Sequence, residues 1–256
     1  MTEVDYNSLQ HVLSDYTDHG INPTRNDGSV TDACLCGGAV EAFPSSLLPR
    51  FLGLFELTLA SGQSYSLVVM TNFFAGMLPI HYRFDLKGST HSRNASEKEK
   101  AKGVLAILKD NDWLVGERQI KFTDQESISK FLQVLTNDSE WLSTHQLIDY
   151  SLLVGVHSRT RAREELGGGQ RERSEYMHVY THDDGEDVLY VGIVDILQPY
   201  TVRKSCEAFC CGTLVCGRDI SCKPPDQYAS RFQNFMSSIC ALSNHTAPPT
   251  APQTSE

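Results

Sequence analysis

The stretch Val191-Gly192-Ile193-Val194-Asp195-Ile196-Leu197-Gln198 sets four apolar or small residues directly before an acid. It reads as a buried strand that delivers one carboxylate to the edge of a site. Upstream, Leu147-Ile148-Asp149-Tyr150-Ser151-Leu152-Leu153 holds a second acid inside another apolar run. Carboxylates among hydrophobic neighbours are costly unless positive charge meets them. A Mg²⁺–nucleotide site supplies such charge. One acid then holds the metal and the other orients a hydroxyl nucleophile, the division of labour used in phosphoryl transfer. Each acid can also be read as an ordinary cap on a turn or a helix.

Working outward, the pattern predicts an α+β fold. Phe51–Leu59 and Tyr65–Asn72 are apolar and β-prone on either side of Ala60-Ser61-Gly62-Gln63-Ser64, which reads as a hairpin. Ile80–Leu86 is a further strand, and Ala95–Lys102 a charged, mobile stretch. Ile128, Phe131, Leu132 and Leu135 recur at helical spacing behind Asp124, a candidate N-cap, and Glu140–Leu147 continues as helix. Ser151–His157 is a strand, and residues 158–175, with mixed charge and three glycines in a row, read as a disordered insertion. Met177–Tyr180 and Val188–Leu197 form a second ribbon, turned at Asp183-Asp184-Gly185. Asp226–Cys240 is the last helix, with Tyr228, Phe232, Phe235, Met236 and Ile239 on its core face. Residues 1–42 are acidic and mostly loop, and residues 241–256 a flexible tail.

At 256 residues, with 40% hydrophobic and 21% charged side chains, the composition is that of an ordinary globular protein. No apolar run approaches a membrane span, and the acidic start Met1-Thr2-Glu3-Val4-Asp5 does not read as a signal peptide. A cytoplasmic setting is expected, in which the eight cysteines are thiols. A net charge of −10 argues against a nucleic-acid partner. Between Thr201 and Lys223, however, Arg203, Lys204, Arg218 and Lys223 outnumber Glu207 and Asp219. That local excess suits a loop facing an anionic membrane. Val202, Cys206, Phe209 and Thr213 share one helical face there, with Arg203 and Lys204 on another, as in an amphipathic interfacial helix. An ordinary surface helix packed on the core has the same pattern. Cys206, Cys210, Cys211, Cys216 and Cys222 match no zinc spacing and read as small apolar fillers, with acylation and metal binding as alternatives.

Four runs occur in one order: Phe84-Asp85-Leu86-Lys87-Gly88-Ser89-Thr90, Ile148–His157, Gly192–Gln198 and Tyr228-Ala229-Ser230-Arg231-Phe232. Together they resemble the phosphatidylinositol phosphate kinase family over residues 43–240, nearest to its type I members. The resemblance implies a kinase-like fold of antiparallel sheets, a C-lobe with a residual N-lobe hairpin. It implies ATP and Mg²⁺ as cofactors, transfer of the γ-phosphate to a phosphatidylinositol monophosphate, and peripheral association with phosphoinositide-containing membrane. Residue by residue, it makes Asp149 the catalytic acid, Asp195 the Mg²⁺ ligand and Lys87 a phosphate contact near the reacting centre. Beside Lys87, Gly88 would let the backbone approach a ligand closely. Asp85 takes an orienting or structural role, and Arg93 extends the positive site.

Residues 200–223 correspond to the family's specificity loop, with Arg203, Lys204 and Glu207 toward lipid and membrane. Glu207 matches the acidic residue of type I members, which phosphorylate the 5-position of phosphatidylinositol 4-phosphate, but their dibasic pair is Lys204-Ser205 here. The family also uses an N-lobe lysine and a glycine loop over ATP. No lysine precedes Lys87, and Gly37-Gly38 lies in a polar loop without a preceding strand. This departure leaves a second reading open: a catalytically dead or truncated module that binds phosphoinositide membranes. A third treats the cysteine-rich loop as a metal-binding scaffold.

Overall fold

The computed structural model describes residues 45–74, 78–166, 180–183, 187–200 and 223–243. Its strands are β1 (Phe51–Thr58), β2 (Ser64–Met70), β3 (Tyr82–Leu86), β4 (Ile107–Lys109), β5 (Ile120–Phe122), β6 (Ser151–Ser158), β7 (Tyr180–Asp183), β8 (Asp187–Val194) and β9 (Cys240–Leu242). Its helices are α1 (Glu97–Lys100), α2 (Asp110–Val115), α3 (Gln125–Thr144), α4 (Arg159–Leu166) and α5 (Pro225–Ile239), with a 3₁₀ turn at Gly103–Leu105.

The run ending at Asp195 is β8, the fourth strand of a five-stranded sheet ordered β4-β3-β6-β8-β7. β6 pairs antiparallel with both β3 and β8, and β8 with β7, whereas β4 runs parallel to β3. Alternation sorts the two faces. Leu152, Val154 and Val156 of β6 stand opposite Ile193, Val191 and Leu189 of β8, and all join the main core. Leu135 and Leu142 of α3 and Tyr228, Phe232 and Met236 of α5 belong to the same core. Gly155 and Gly192 fall on the opposite face. There the rings of Phe74 and Phe73 lie so close that a Cβ on either glycine would overlap them, at 2.5 and 2.3 Å. This explains a glycine inside the apolar strand.

The expected hairpin forms as β1 and β2, paired antiparallel. Most of its apolar residues, including Phe55, Leu57, Leu67 and Val69, are exposed. Asp124 caps α3 by accepting the Ser127 N–H at 2.7 Å, and α3 ends at Thr144 rather than at Leu147. Three expectations need correction. The charged stretch over Ala95–Lys102 contains helix α1, capped by Ser96 and bound to α2 through the Ala95 N–H, which donates to Asp112 at 2.7 Å. The start of the expected disordered insertion completes β6 at Ser158 and continues as α4, where the mixed Arg and Glu residues suit an exposed helical turn as well as a solvated coil. The tail expected over 241–256 begins instead as strand: the apolar run Cys240-Ala241-Leu242 is β9, with Ala241 and Leu242 paired to Lys121 and Phe122 of β5. Residues 167–175, the specificity loop over 201–222, every cysteine in it, and residues 244–256 of the expected tail lie outside the described residues.

Candidate active site

Strand register brings the candidate residues to one end of the sheet. Leu86 of β3 stands beside Leu152 of β6, and Ser151 of β6 beside Val194 of β8. Because β6 runs opposite to its neighbours, the end of β3, the start of β6 and the end of β8 coincide. Lys87, Asp149 and Asp195 occur at these three ends. Asp85, paired with Lys109 of the parallel β4, brings Asp110 to the same end.

Beyond β6 and β8 the chains separate and meet again. Ile148 N–H donates to the Gln198 carbonyl at 3.0 Å and Tyr200 N–H to that of Gln146 at 2.7 Å, with Leu147 opposite Pro199. The two acids lie on the segments that bow out between the paired stretches. Both have left-handed backbone, Asp149 at φ 71° and Asp195 at φ 60°. Asp tolerates this region better than most residues, and such conformations cluster where a side chain must be aimed at a site.

Lys87 Nζ lies 3.1 Å from Asp149 Oδ1, with the lysine side chain 13% exposed and the aspartate 33%. Asp195 is exposed, yet the protein packed along one side of it raises its carboxyl above the usual aspartate range. Lys87 opposes that rise, while the nearby charges of Asp85 and Asp149 add to it. Among the described residues no three His, Cys, Asp or Glu side chains gather closely enough to cage a metal. Mg²⁺ does not require a cage. It takes one or two carboxylates and completes its shell with phosphate oxygens and water. A solvent-accessible carboxylate whose charged form is disfavoured chiefly by the protein packed beside it fits that minimal donor set, because a cation there would offset the cost.

Helix α5 supports this end of the sheet. Tyr228 Oη donates to the Tyr150 carbonyl, and the Tyr150 ring packs edge-on against Tyr228 and Phe232, with centroids 4.7 and 5.2 Å apart. Arg231 donates to the Lys87 carbonyl at 3.3 Å. A Cβ on Gly88 would lie 3.1 Å from the Arg231 carbonyl, the Phe232 Cα and the Phe235 Cβ. The glycine therefore lets the backbone approach α5, not a ligand. Arg93 also differs from expectation. It is buried, donating to Asp110 Oδ2 at 2.7 Å and to the Asp85 carbonyl at 2.6 Å, so it does not extend the open positive surface. Asp85 faces the same guanidinium at 3.5 Å. Of the expected site, Lys87, Asp149 and Asp195 come together, while Arg203, Lys204 and Glu207 lie outside the described residues.

Asp110 was not legible as a site residue. It is fully buried, and its Oδ1 accepts the N–H groups of Lys87, Gly88 and Ser89 at 2.9, 2.8 and 3.3 Å. In sequence it is one of two acids in Lys109-Asp110-Asn111-Asp112, a pattern ordinary for the first turn of a helix. The available signal was an acid pair directly after a short apolar strand.

The sequence profile of the family described as Phosphatidylinositol-4-phosphate 5-Kinase matches residues 39–177 and 162–239. Among curated proteins, the chain is similar to phosphatidylinositol 5-phosphate 4-kinase type-2 beta of Homo sapiens, 35% identical over 246 residues, covering 78% of this chain and 58% of that protein. The type-2 gamma enzyme of Xenopus tropicalis is 32% identical over 246 residues, covering 79% and 58%. The type-2 alpha enzyme of Gallus gallus is 32% identical over 242 residues, covering 78% and 59%. The chain thus spans less than two thirds of the length of these relatives.

Proposed function

The chain belongs to the phosphatidylinositol phosphate kinase family, and from that premise we propose that its site transfers the γ-phosphate of ATP to the inositol ring of a phosphatidylinositol monophosphate. The observation that carries the reading is the meeting of Lys87 and Asp149 at 3.1 Å, beside Asp195, at one sheet end. Asp149 is the acid that accepts a hydrogen bond from the ring hydroxyl and aims its oxygen. Lys87, beside it, follows the negative charge on the transferring phosphoryl oxygens. Asp195 is the residue that would hold Mg²⁺, which when bound neutralises charge on the nucleotide phosphates. With little covalent chemistry for the protein to perform, positioning is most of its task.

For the lipid, we read phosphatidylinositol 4-phosphate as acceptor from Glu207, and the name of the relatives, phosphatidylinositol 5-phosphate 4-kinases, favours the 5-phosphate as the alternative. Both acceptors give the 4,5-bisphosphate. The net positive stretch from Thr201 to Lys223 supports peripheral docking from the cytoplasm on an anionic bilayer, with Arg203 and Lys204 toward the headgroups. A second reading is membrane binding without turnover, for which the net positive stretch from Thr201 to Lys223 suffices.

One assay separates these readings. The native protein is given labelled ATP and vesicles carrying either monophosphate, with Asp195→Ala in parallel. Formation of bisphosphate that Asp195→Ala abolishes supports the kinase. Binding that weakens with salt and in Arg203→Ala/Lys204→Ala, with no product, supports the binding module.

A further inference from the structure

The Lys87-Gly88-Ser89 turn presents consecutive backbone N–H groups in the arrangement that commonly holds an anion, with Gly88 at φ 70°. Such a nest in a kinase-like site would ordinarily be given to a phosphate. Here the anion is part of the protein. One oxygen of Asp110 accepts the N–H groups of Lys87, Gly88 and Ser89 at 2.9, 2.8 and 3.3 Å. The other accepts Arg93 Nε at 2.7 Å, and Arg93 reaches on to the Asp85 carbonyl at 2.6 Å. Asp110 has no solvent exposure. A carboxylate buried this deeply is tolerable only because these donors surround it.

We propose that Asp110 is the positioning residue of the site: it fixes the turn that aims Lys87 at Asp149. The Lys87 ammonium stands at the end of a flexible stem, and its direction depends on where its own backbone is held. On the far side Arg231 takes the Lys87 carbonyl at 3.3 Å, and α5 closes on Gly88. Asp110 holds the near side through the amides. The backbone of residue 87 is thus clamped from both faces. The guanidinium of Arg93 links the clamp to β3 itself, through Asp85. The consequence for ligands is direct: the turn's amides are occupied, so phosphate recognition at this edge falls to the Lys87 side chain rather than to the backbone.

The inference deepens the kinase reading and rests on it for its kinetic consequence, but its geometric part is testable without turnover. The experiment uses the full chain with Asp110→Ala and Asp110→Asn. Lysine acylation is followed by peptide mass spectrometry, and circular dichroism verifies the fold. In the wild type, Lys87 is shielded and paired with Asp149. In Asp110→Ala its labelling rises several-fold while that of the exposed Lys130 stays constant. If Asp110→Ala does not fold, Asp110→Asn decides. It keeps one acceptor for the amides but turns an N–H toward Arg93, so Lys87 labelling rises there too. Where the native enzyme shows turnover, kcat falls about 100-fold with the KM for ATP little changed, as misplacement of a reacting group produces. Unchanged Lys87 labelling in a folded variant would overturn the proposal, leaving Asp110 a purely structural carboxylate. Absence of turnover in the wild type would count against the kinase reading alone.

Discussion

Gly88 is constrained twice, by a left-handed backbone at φ 70° and by α5 lying 3.1 Å from where a Cβ would stand. Gly88→Ala must strain the turn or push the helix away. The expected cost is roughly 1–3 kcal/mol, read from urea unfolding, and an unchanged midpoint would contradict the packing described. Asp149 and Asp195 were legible in sequence because an acid inside an apolar run has few places to go except a strand end. The partner of Gly88 was not legible, since α5 lies far along the chain and glycine between lysine and serine reads equally well as a phosphate turn. Arg93 misled for a related reason. A basic residue beside a basic motif reads as open surface charge, and only the fold places Asp110 beneath it. Local sequence reports which residues are polar; it does not report which of two polar residues satisfies the other.

The elements that matter most are α3 and α5, which pack on each other and on the sheet. Tyr228 anchors α5 to the segment that carries Asp149 through its hydroxyl, which donates to the buried Tyr150 carbonyl. Tyr228→Phe leaves that carbonyl without its donor and should destabilise the protein by about 1–2 kcal/mol in thermal or chemical unfolding. A neutral result would mean that ring packing alone holds the helix. On α3, Asp138 is fully buried and accepts Ser46 Oγ at 2.8 Å and the Leu47 N–H at 2.6 Å, tying down the segment before β1. Burial nevertheless pushes its carboxyl up to about 7, against the lowering effect of these two hydrogen bonds. The folded protein then holds a proton on Asp138 that the unfolded chain releases near pH 4. This contribution to stability is fully present below pH 4 and is lost as pH rises to about 7, roughly 4 kcal/mol across the window. Asp138→Asn should flatten that part of the stability–pH curve; equal slopes in both proteins would contradict it. The helical periodicity of α3 and α5 was plain in sequence, as was the capping role of Asp124. The service of Asp138 to a distant segment was not, because an Asp in mid-helix reads as an exposed face.

For the whole molecule, antiparallel pairing of β6 with both neighbours is what converts separate motifs into one site. It brings the end of β3, the start of β6 and the end of β8 to one edge, while α5 holds that edge from behind. The α+β architecture was readable because alternating apolar strands and amphipathic helices have different periods. The parallel addition of β4 beside β3 was not readable, since β4 has only three residues, and with it Asp110 escaped notice. The measurement that tests the central claim most directly is phosphate transfer by the native protein from labelled ATP to vesicles of phosphatidylinositol monophosphate, compared with Asp149→Asn. The account predicts formation of the bisphosphate, with a loss of about 100-fold or more in the variant while vesicle binding is retained. Vesicle binding without any transfer by the wild type, or equal transfer by both proteins, would contradict it.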